Sequence, residues 1–191
     1  MPAVSVVMPV FNGTPFLDRA LASLRAQTFA DWELLAVDDA SGDDSAARLD
    51  VAAAADARVR VFRHPTNRGQ AAARNMALAA ARGELVAYLD QDDEFDPDHL
   101  GRAWEWRDRA EVLLFRYDLV EERDGHPDCG RVTAYDPALR RDALFAETIA
   151  VPLGVVHRRA LLARSGHFDA AMGRHRGHDE AGDLWRRFAR A

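Results

Sequence analysis

The chain contains no lysine: all 25 of the basic residues among its 191 are arginine. That absence removes every chemistry built on an ε-amine, including pyridoxal Schiff bases, the lysine of a Walker A loop and the lysine of a kinase active site. Cysteine is nearly as scarce. Cys129 stands alone, so no internal disulfide can form and a reducing cytoplasm is the natural home. Cys129 also has no evident partner base and reads as inert. No window reaches the roughly 18–20 consecutive apolar residues of a membrane span. The apolar run Val4–Phe11 is short, has no basic lead-in and breaks at Asn12-Gly13, so this stretch does not look like a targeting signal. Positive charge is not in excess either. A net charge of −6 argues against nucleic acid or an anionic membrane surface as the partner.

At 48% hydrophobic and 29% charged residues, the chain has enough apolar material for one globular domain. Its first half alternates strand and helix signals. Strands are expected at 4–10, 32–37, 59–62 and 84–89. Between them lie helices at 16–27 (Thr14 as N-cap, Pro15 just inside), 45–56 and 69–81 (closed by Gly83). Such alternation predicts βαβ units and an α/β fold with a mostly parallel central sheet flanked by helices. Beyond Asp98 the pattern predicts a helix carrying Trp104 and Trp106, a strand over 111–122 and a hairpin at Asp124-Gly125 leading to 131–134. A helix over 136–150, a short strand at Val155-Val156, a helix over 158–165 ending at Gly166, and helical spacing over 183–188 complete it.

In open parallel sheets, ligands bind beyond the carboxyl ends of the strands. Two of the expected strands end in acid there, at Asp38-Asp39 and at Asp90-Gln91-Asp92-Asp93. Three carboxylates within four residues repel one another unless a cation or backbone N–H groups offset them. Mg²⁺ or Mn²⁺ suits such a site, because each takes oxygen ligands and is often held by one or two carboxylates, with water and phosphate completing the shell. The competing reading is a solvated loop, with Asp93 or Asp96 capping the next helix. A carboxylate at Asp38 or Asp39 suits a base N–H or a ribose hydroxyl, and it equally suits a turn. No glycine-rich phosphate loop follows the first strand. Phosphate would therefore be held by metal and arginine, with Arg68 and Arg74 as candidates.

These residues resemble the family 2 glycosyltransferases, which have the GT-A nucleotide-sugar fold. The segments VSVVMPVFNG (4–13), LLAVDDASGDDS (34–45) and NRGQAAARNMALAAARGELVAYLDQDD (67–93), with Phe95-Asp96-Pro97 after them, look like the family's opening strand, second acidic strand end and Asp-x-Asp segment. Gly166-His167-Phe168-Asp169 is similar to its later turn. The resemblance implies a donor half at 1–98 and an acceptor-side half at 99–191. It implies a nucleotide-diphospho-sugar donor, with a UDP-sugar favoured over dTDP and GDP donors, and a saccharide, lipid-linked or other hydroxyl as acceptor. Pro9 and Phe11 would border the base, Asp39 with Asp38 would bind base or ribose, Asp90 would lie near ribose and pyrophosphate, and Asp92 would hold Mn²⁺ or Mg²⁺. A cytoplasmic place, peripheral to the inner face of the membrane or free, follows.

The family's reaction is an inverting displacement whose base comes from a Glu-Asp pair. Here Asp179-Glu180-Ala181 stands at that place, so Asp179 or Glu180 serves as base or the base is missing. The chain also stops at Ala191, and acceptor contacts are expected to be sparse or to come from another chain. His167, His175 and His178 fit no zinc spacing, and Trp104, Trp106 and Trp185 suit packing more than sugar stacking. Two other functions compete: a nucleotide-binding module of the same fold with impaired or no transfer, and a nucleotidyltransferase. The latter needs a basic glycine-rich first loop that Asn12-Gly13-Thr14-Pro15 does not provide.

Overall fold

Val4–Val10 forms β1 and Trp32–Asp38 forms β2, and all fourteen residues are buried. Strands buried along their whole length, and apolar apart from Ser5, Glu33 and Asp38, need cover on both faces, which a parallel sheet sandwiched by helices provides. The computed structural model describes residues 1–115, 122–123, 126–127, 152–171 and 180–190. Within them the order is β1, α1 (Leu17–Arg25), β2, α2 (Ser45–Ala55), β3 (Val59–Arg63), α3 (Gln70–Ala80), β4 (Leu85–Tyr88) and α4 (His99–Trp106). Next come β5 (Val112–Leu114), β6 (Glu122–Arg123), β7 (His126–Pro127), β8 (Val155–Arg158), α5 (Leu162–Ser165) and α6 (Glu180–Arg190). Short 3₁₀ turns flank β8 at Pro152–Gly154 and Arg159–Leu161.

The main sheet has six strands in the order β3-β2-β1-β4-β8-β5. The pairs β1–β2, β2–β3 and β1–β4 are parallel, whereas β8 runs antiparallel to both its neighbours. The fold is thus the expected α/β arrangement, mostly parallel and flanked by helices. Successive side chains of each strand feed two cores. Val4, Val6, Met8 and Val10 pack with Leu17, Leu24, Leu49 and Leu100 on one face. Val7, Val37, Val86 and Tyr88 pack with Ala77, Leu78, Leu184 and Trp185 on the other. The chain leaves β1 toward β3 and returns to β1's other side at β4. This reversal opens a crevice at the carboxyl ends of β1 and β4.

Local starts and stops depart from the sequence expectation in three places. Thr14 does not cap α1: Phe16 and Leu17 N–H donate to the Gly13 carbonyl, and the helix begins at Leu17. Gly83 does not cap α3, which ends at Ala80. A side chain at Gly83 would stand 2.5 Å from the Ser5 backbone nitrogen, so its smallness lets the turn cross β1. Of the long strand expected at 111–122, β5 covers Val112–Leu114 and β6 covers Glu122–Arg123. The 131–134 strand, the 136–150 helix and Cys129 lie outside the described residues. No helix among the described residues is long and apolar enough to cross a membrane.

Candidate functional site

The loops at the ends of β1, β2 and β4 enclose a cleft of about 450 Å³, within the range of small-molecule sites. Pro9, Phe11, Asp39, Asp90 and Asp92 line it. Five residues from three separate strand ends, singled out in the sequence, therefore meet at one place. Phe11 is 45% exposed at the cleft. The sequence reading did not single out the six other lining residues: Val10 at the end of β1, Asn67 and Gly69 from the turn before α3, Gln70 and Ala73 from α3, and Gln91 from between the aspartates.

Asp39 is buried at 2% exposure and acts as a hub. Its Oδ1 accepts from the Arg68 backbone N–H at 2.9 Å and lies 2.6 Å from His64 Nδ1. Its Oδ2 accepts from the Gly69 N–H at 2.7 Å. Gly69 has φ of 87°, the region glycine tolerates best. Both ends of the 64–69 turn are thus fastened to one carboxylate, and that turn delivers Asn67 and Gly69 to the cleft. Asp38 is buried beside it and does not line the cleft; its Oδ1 accepts from the Ser41 N–H at 3.2 Å.

The two candidate arginines are placed differently from the expectation that they face phosphate. The Arg68 side chain is exposed, and among the described contacts only its backbone N–H serves the site. Arg74 is buried at 1% exposure beneath the cleft. Its Nη2 reaches both oxygens of Asp90, at 2.9 and 2.8 Å. Arg74 therefore acts on the cleft through Asp90, orienting that carboxylate from below.

Asp92 is exposed on the cleft wall, and the Asp93 N–H closes a turn on the Asp90 carbonyl at 3.1 Å. Burial and the neighbouring charges of Asp90 and Asp92 push the Asp93 carboxyl up to about 7, against the pull of Arg74. A divalent cation would relieve that repulsion, and the oxygen-only donors suit Mg²⁺ or Mn²⁺. No group of three acidic, histidine or cysteine side chains converges as a preformed cage among the described residues. The residues thus fit an ion held by Asp92 with phosphate and water, and not one enclosed by protein alone.

Below the cleft, Asn75 of α3 clamps the Phe168 peptide: its Nδ2 donates to the Phe168 carbonyl at 2.8 Å and its Oδ1 accepts from the Phe168 N–H at 3.0 Å. Phe168, Tyr88 and Trp185 pack edge to face, with centroids 5.6–5.9 Å apart. His157 completes this cluster. Its Nδ1 faces the Arg158 carbonyl, so Nδ1 carries the proton and Nε2 accepts from Tyr88 Oη at 2.9 Å. Burial pushes His157 down to about 4 and raises Tyr88 above the usual phenol range. Trp185 is core, and Trp104 packs on Phe29; neither they nor Trp106 line the cleft. Ala181 is buried on the same α6 face as Leu184, Trp185 and Phe188. Glu180 opens α6, but its side chain, Asp179, His175 and His178 lie outside the described residues. His167 is exposed.

A family model described as glycosyl transferase family 2 matches residues 5–146. A putative teichuronic acid biosynthesis glycosyltransferase, TuaG of Bacillus subtilis, is 31% identical over 78% of this chain and 62% of its own length. Escherichia coli WfgD, a UDP-Glc:alpha-D-GlcNAc-diphosphoundecaprenol beta-1,3-glucosyltransferase, is 39% identical over 47% of this chain and 35% of its own. Among solved structures, S. aureus TarS 1-349 in complex with UDP-GlcNAc superposes with a TM-score of 0.72 at 28% identity, covering 88% of this chain and 49% of that one. The chain spans less than two thirds of the length of each of these relatives. With an acid-ended parallel sheet of the GT-A type and a match over most of its length, the chain belongs to glycosyl transferase family 2.

Proposed function

We propose that the chain takes a sugar from a nucleotide-diphospho-sugar, a UDP-sugar by preference, and transfers it with inversion to an acceptor hydroxyl. The observation that carries this reading is the convergence of Pro9, Phe11, Asp39, Asp90 and Asp92 on one cleft. In this reading residues 1–98 hold the donor and 99–191 face the acceptor. The exposed Phe11 ring stacks on the base, with Pro9 behind it. Asp39 accepts from the base or ribose with the capacity its internal bonds leave. Asp90, fixed by Arg74, meets ribose and diphosphate, and Asp92 holds Mn²⁺ or Mg²⁺. Bound there, the ion supplies positive charge to the diphosphate leaving group. The acceptor oxygen bonds to the anomeric carbon as the bond to diphosphate breaks, and its proton passes to Asp179 or Glu180. A saccharide or lipid-linked acceptor suits a cytoplasmic protein working at the inner face of the membrane.

The test is calorimetric titration of UDP, dTDP and GDP with and without Mn²⁺, followed by transfer assays with the matching sugars. One nucleotide is expected to bind, more tightly with the metal, and Asp92→Ala is expected to lose that metal-dependent gain. Equal affinity in Asp92→Ala with Mn²⁺ sinks the metal assignment. Glu180→Gln is expected to spare donor binding and cut turnover by about 10²-fold if Glu180 is the base. The buried Ala181 favours a second reading, a nucleotide-binding module without efficient transfer. Donor binding with no transfer and no hydrolysis selects it.

A further inference from the structure

Gln91 stands between Asp90 and Asp92, yet its side chain turns away from both toward the end of β1. Its Oε1 accepts from the Phe11 backbone N–H at 2.8 Å, and its Nε2 donates to the Phe11 carbonyl at 3.1 Å. The two hydrogen bonds fix the amide orientation, because only one assignment gives each atom a complementary partner. Phe11 and Gln91 are 80 residues apart in sequence, and the clamp extends past the end of the β1–β4 pairing to join the two loops that leave those strands. The loop after β1 carries the Phe11 ring, and the loop after β4 carries the acids.

Gly13 makes room for this clamp. A Cβ there would lie 2.5 Å from Gln91 Oε1 and 2.7 Å from its Cδ. Gly13 does not have a positive φ, so the backbone alone would accept alanine; what forbids a methyl is the Gln91 side chain. The carbonyl of Gly13 starts α1, and its N–H donates to Ser45 Oγ at 2.8 Å, so this end of the clamp is itself anchored.

The geometry points to Gln91 as a positioning residue that couples the base wall at Phe11 to the acid loop at Asp90 and Asp92, setting their separation to the span of a nucleoside diphosphate. This rests on the proposed reading that the cleft takes a nucleotide. The coupling has a signature that a merely structural role lacks: the factor by which Mn²⁺ tightens UDP binding. Metal at the acid loop and base at Phe11 assist each other only while the loops keep their separation. A residue that only stabilised the fold would change the unfolding midpoint and leave that factor intact in folded protein.

The experiment measures UDP affinity with and without Mn²⁺, together with thermal unfolding, for wild type, Gln91→Ala, Gln91→Glu, Gly13→Ala and the double variant Gly13→Ala/Gln91→Ala. Two neutral hydrogen bonds of this kind set the expected scale, so Gln91→Ala is expected to weaken UDP binding with Mn²⁺ by about 5- to 20-fold. The Mn²⁺ enhancement is expected to fall by a similar factor. Gln91→Glu keeps the acceptor and sets an oxygen against the Phe11 carbonyl, and it is expected to lose at least as much. Gly13→Ala is expected to reproduce Gln91→Ala, and the double variant to be no worse than either single change. Wild-type UDP affinity and wild-type Mn²⁺ enhancement in folded Gln91→Ala and Gln91→Glu overturn the coupling alone. A wild-type protein that binds no nucleotide overturns the reading of the cleft, and the coupling with it.

Discussion

Asp39 invites a sharper prediction than loss of nucleotide binding, because its carboxylate fastens its own protein three times. Asp39→Ala removes the acceptor of two backbone N–H groups, at Arg68 and Gly69, and the partner of His64. Hydrogen bonds to a charged group contribute about 1.5–3 kcal/mol each, and a buried donor left unpaired costs about 1–3 kcal/mol. Water entering the emptied site recovers part of this, so the expected loss is about 4 kcal/mol. In a chain of 191 residues, 1 kcal/mol moves the midpoint by about 2–4 °C, so the melting temperature is expected to fall by about 8–16 °C. Asp39→Asn keeps one carbonyl acceptor but presents an N–H₂ group to a donor, and about half the loss is expected. Urea unfolding at 25 °C gives the free energies, and titration well below each midpoint gives nucleotide affinity in folded protein. The hub also predicts that Asp39→Ala weakens binding through displaced Asn67 and Gly69. A loss of stability below about 1 kcal/mol refutes the hub, whatever happens to binding.

Arg74→Met strands Asp90 beside Asp92 and Asp93. Breaking one side of a buried ion pair costs about 3–5 kcal/mol, and the Asp90 side chain keeps 15% exposure, so about 3 kcal/mol is expected by urea unfolding. Adding Asp90→Asn is expected to restore more than half, and a double variant no more stable than Arg74→Met refutes the charge argument. His99 and His157 are both held near 4 by burial, below the unfolded value of 6.5. Their neutral burial is fully tolerated above pH 6.5, and stability is lost as pH falls from 6.5 toward 4, by about 2 kcal/mol per residue at pH 5. Asp93, raised to about 7, acts in the opposite direction over pH 7 to 4, so the comparison is made between variant and wild type at each pH. The cost of His157→Gln is expected to shrink by about 2 kcal/mol between pH 7.5 and pH 5, and an unchanged cost refutes the assignment.

The N-terminal half was legible because its signals are local and redundant. β1 and β2 are mostly apolar runs buried on both faces, broken only by Ser5 and Glu33, which hydrogen-bond to each other, and by Asp38 at the end of β2, so the acids stand where the apolar signal gives out. Asp39, Asp90 and Asp92 were singled out for that reason, and all three line the cleft. Arg74 was also within reach. Ala71, Arg74, Ala77 and Leu78 share helical spacing and all are buried, so the phase of α3 already turned Arg74 inward, away from solvent. Reading its charge without its phase put it on the wrong side of Asp90.

Gln91, His64 and Asn75 carried no such signal. Each is a polar side chain whose partner lies 80, 25 or 93 residues away, and neither composition nor periodicity encodes a distance of that kind. The antiparallel strand β8 was legible only as Val155-Val156, because its place between β4 and β5 is fixed by cross-strand pairing and by His157 reaching Tyr88. The same consideration bears on α6. Ala181, Leu184, Trp185 and Phe188 follow the spacing i, i+3, i+4, i+7 and form one buried face, so the helix is held by packing that a carboxylate at 181 would disturb. In the proposed transfer reaction the proton acceptor is therefore sought at Asp179 or at Glu180, the first residue of α6, and not on the face that holds the helix to the sheet.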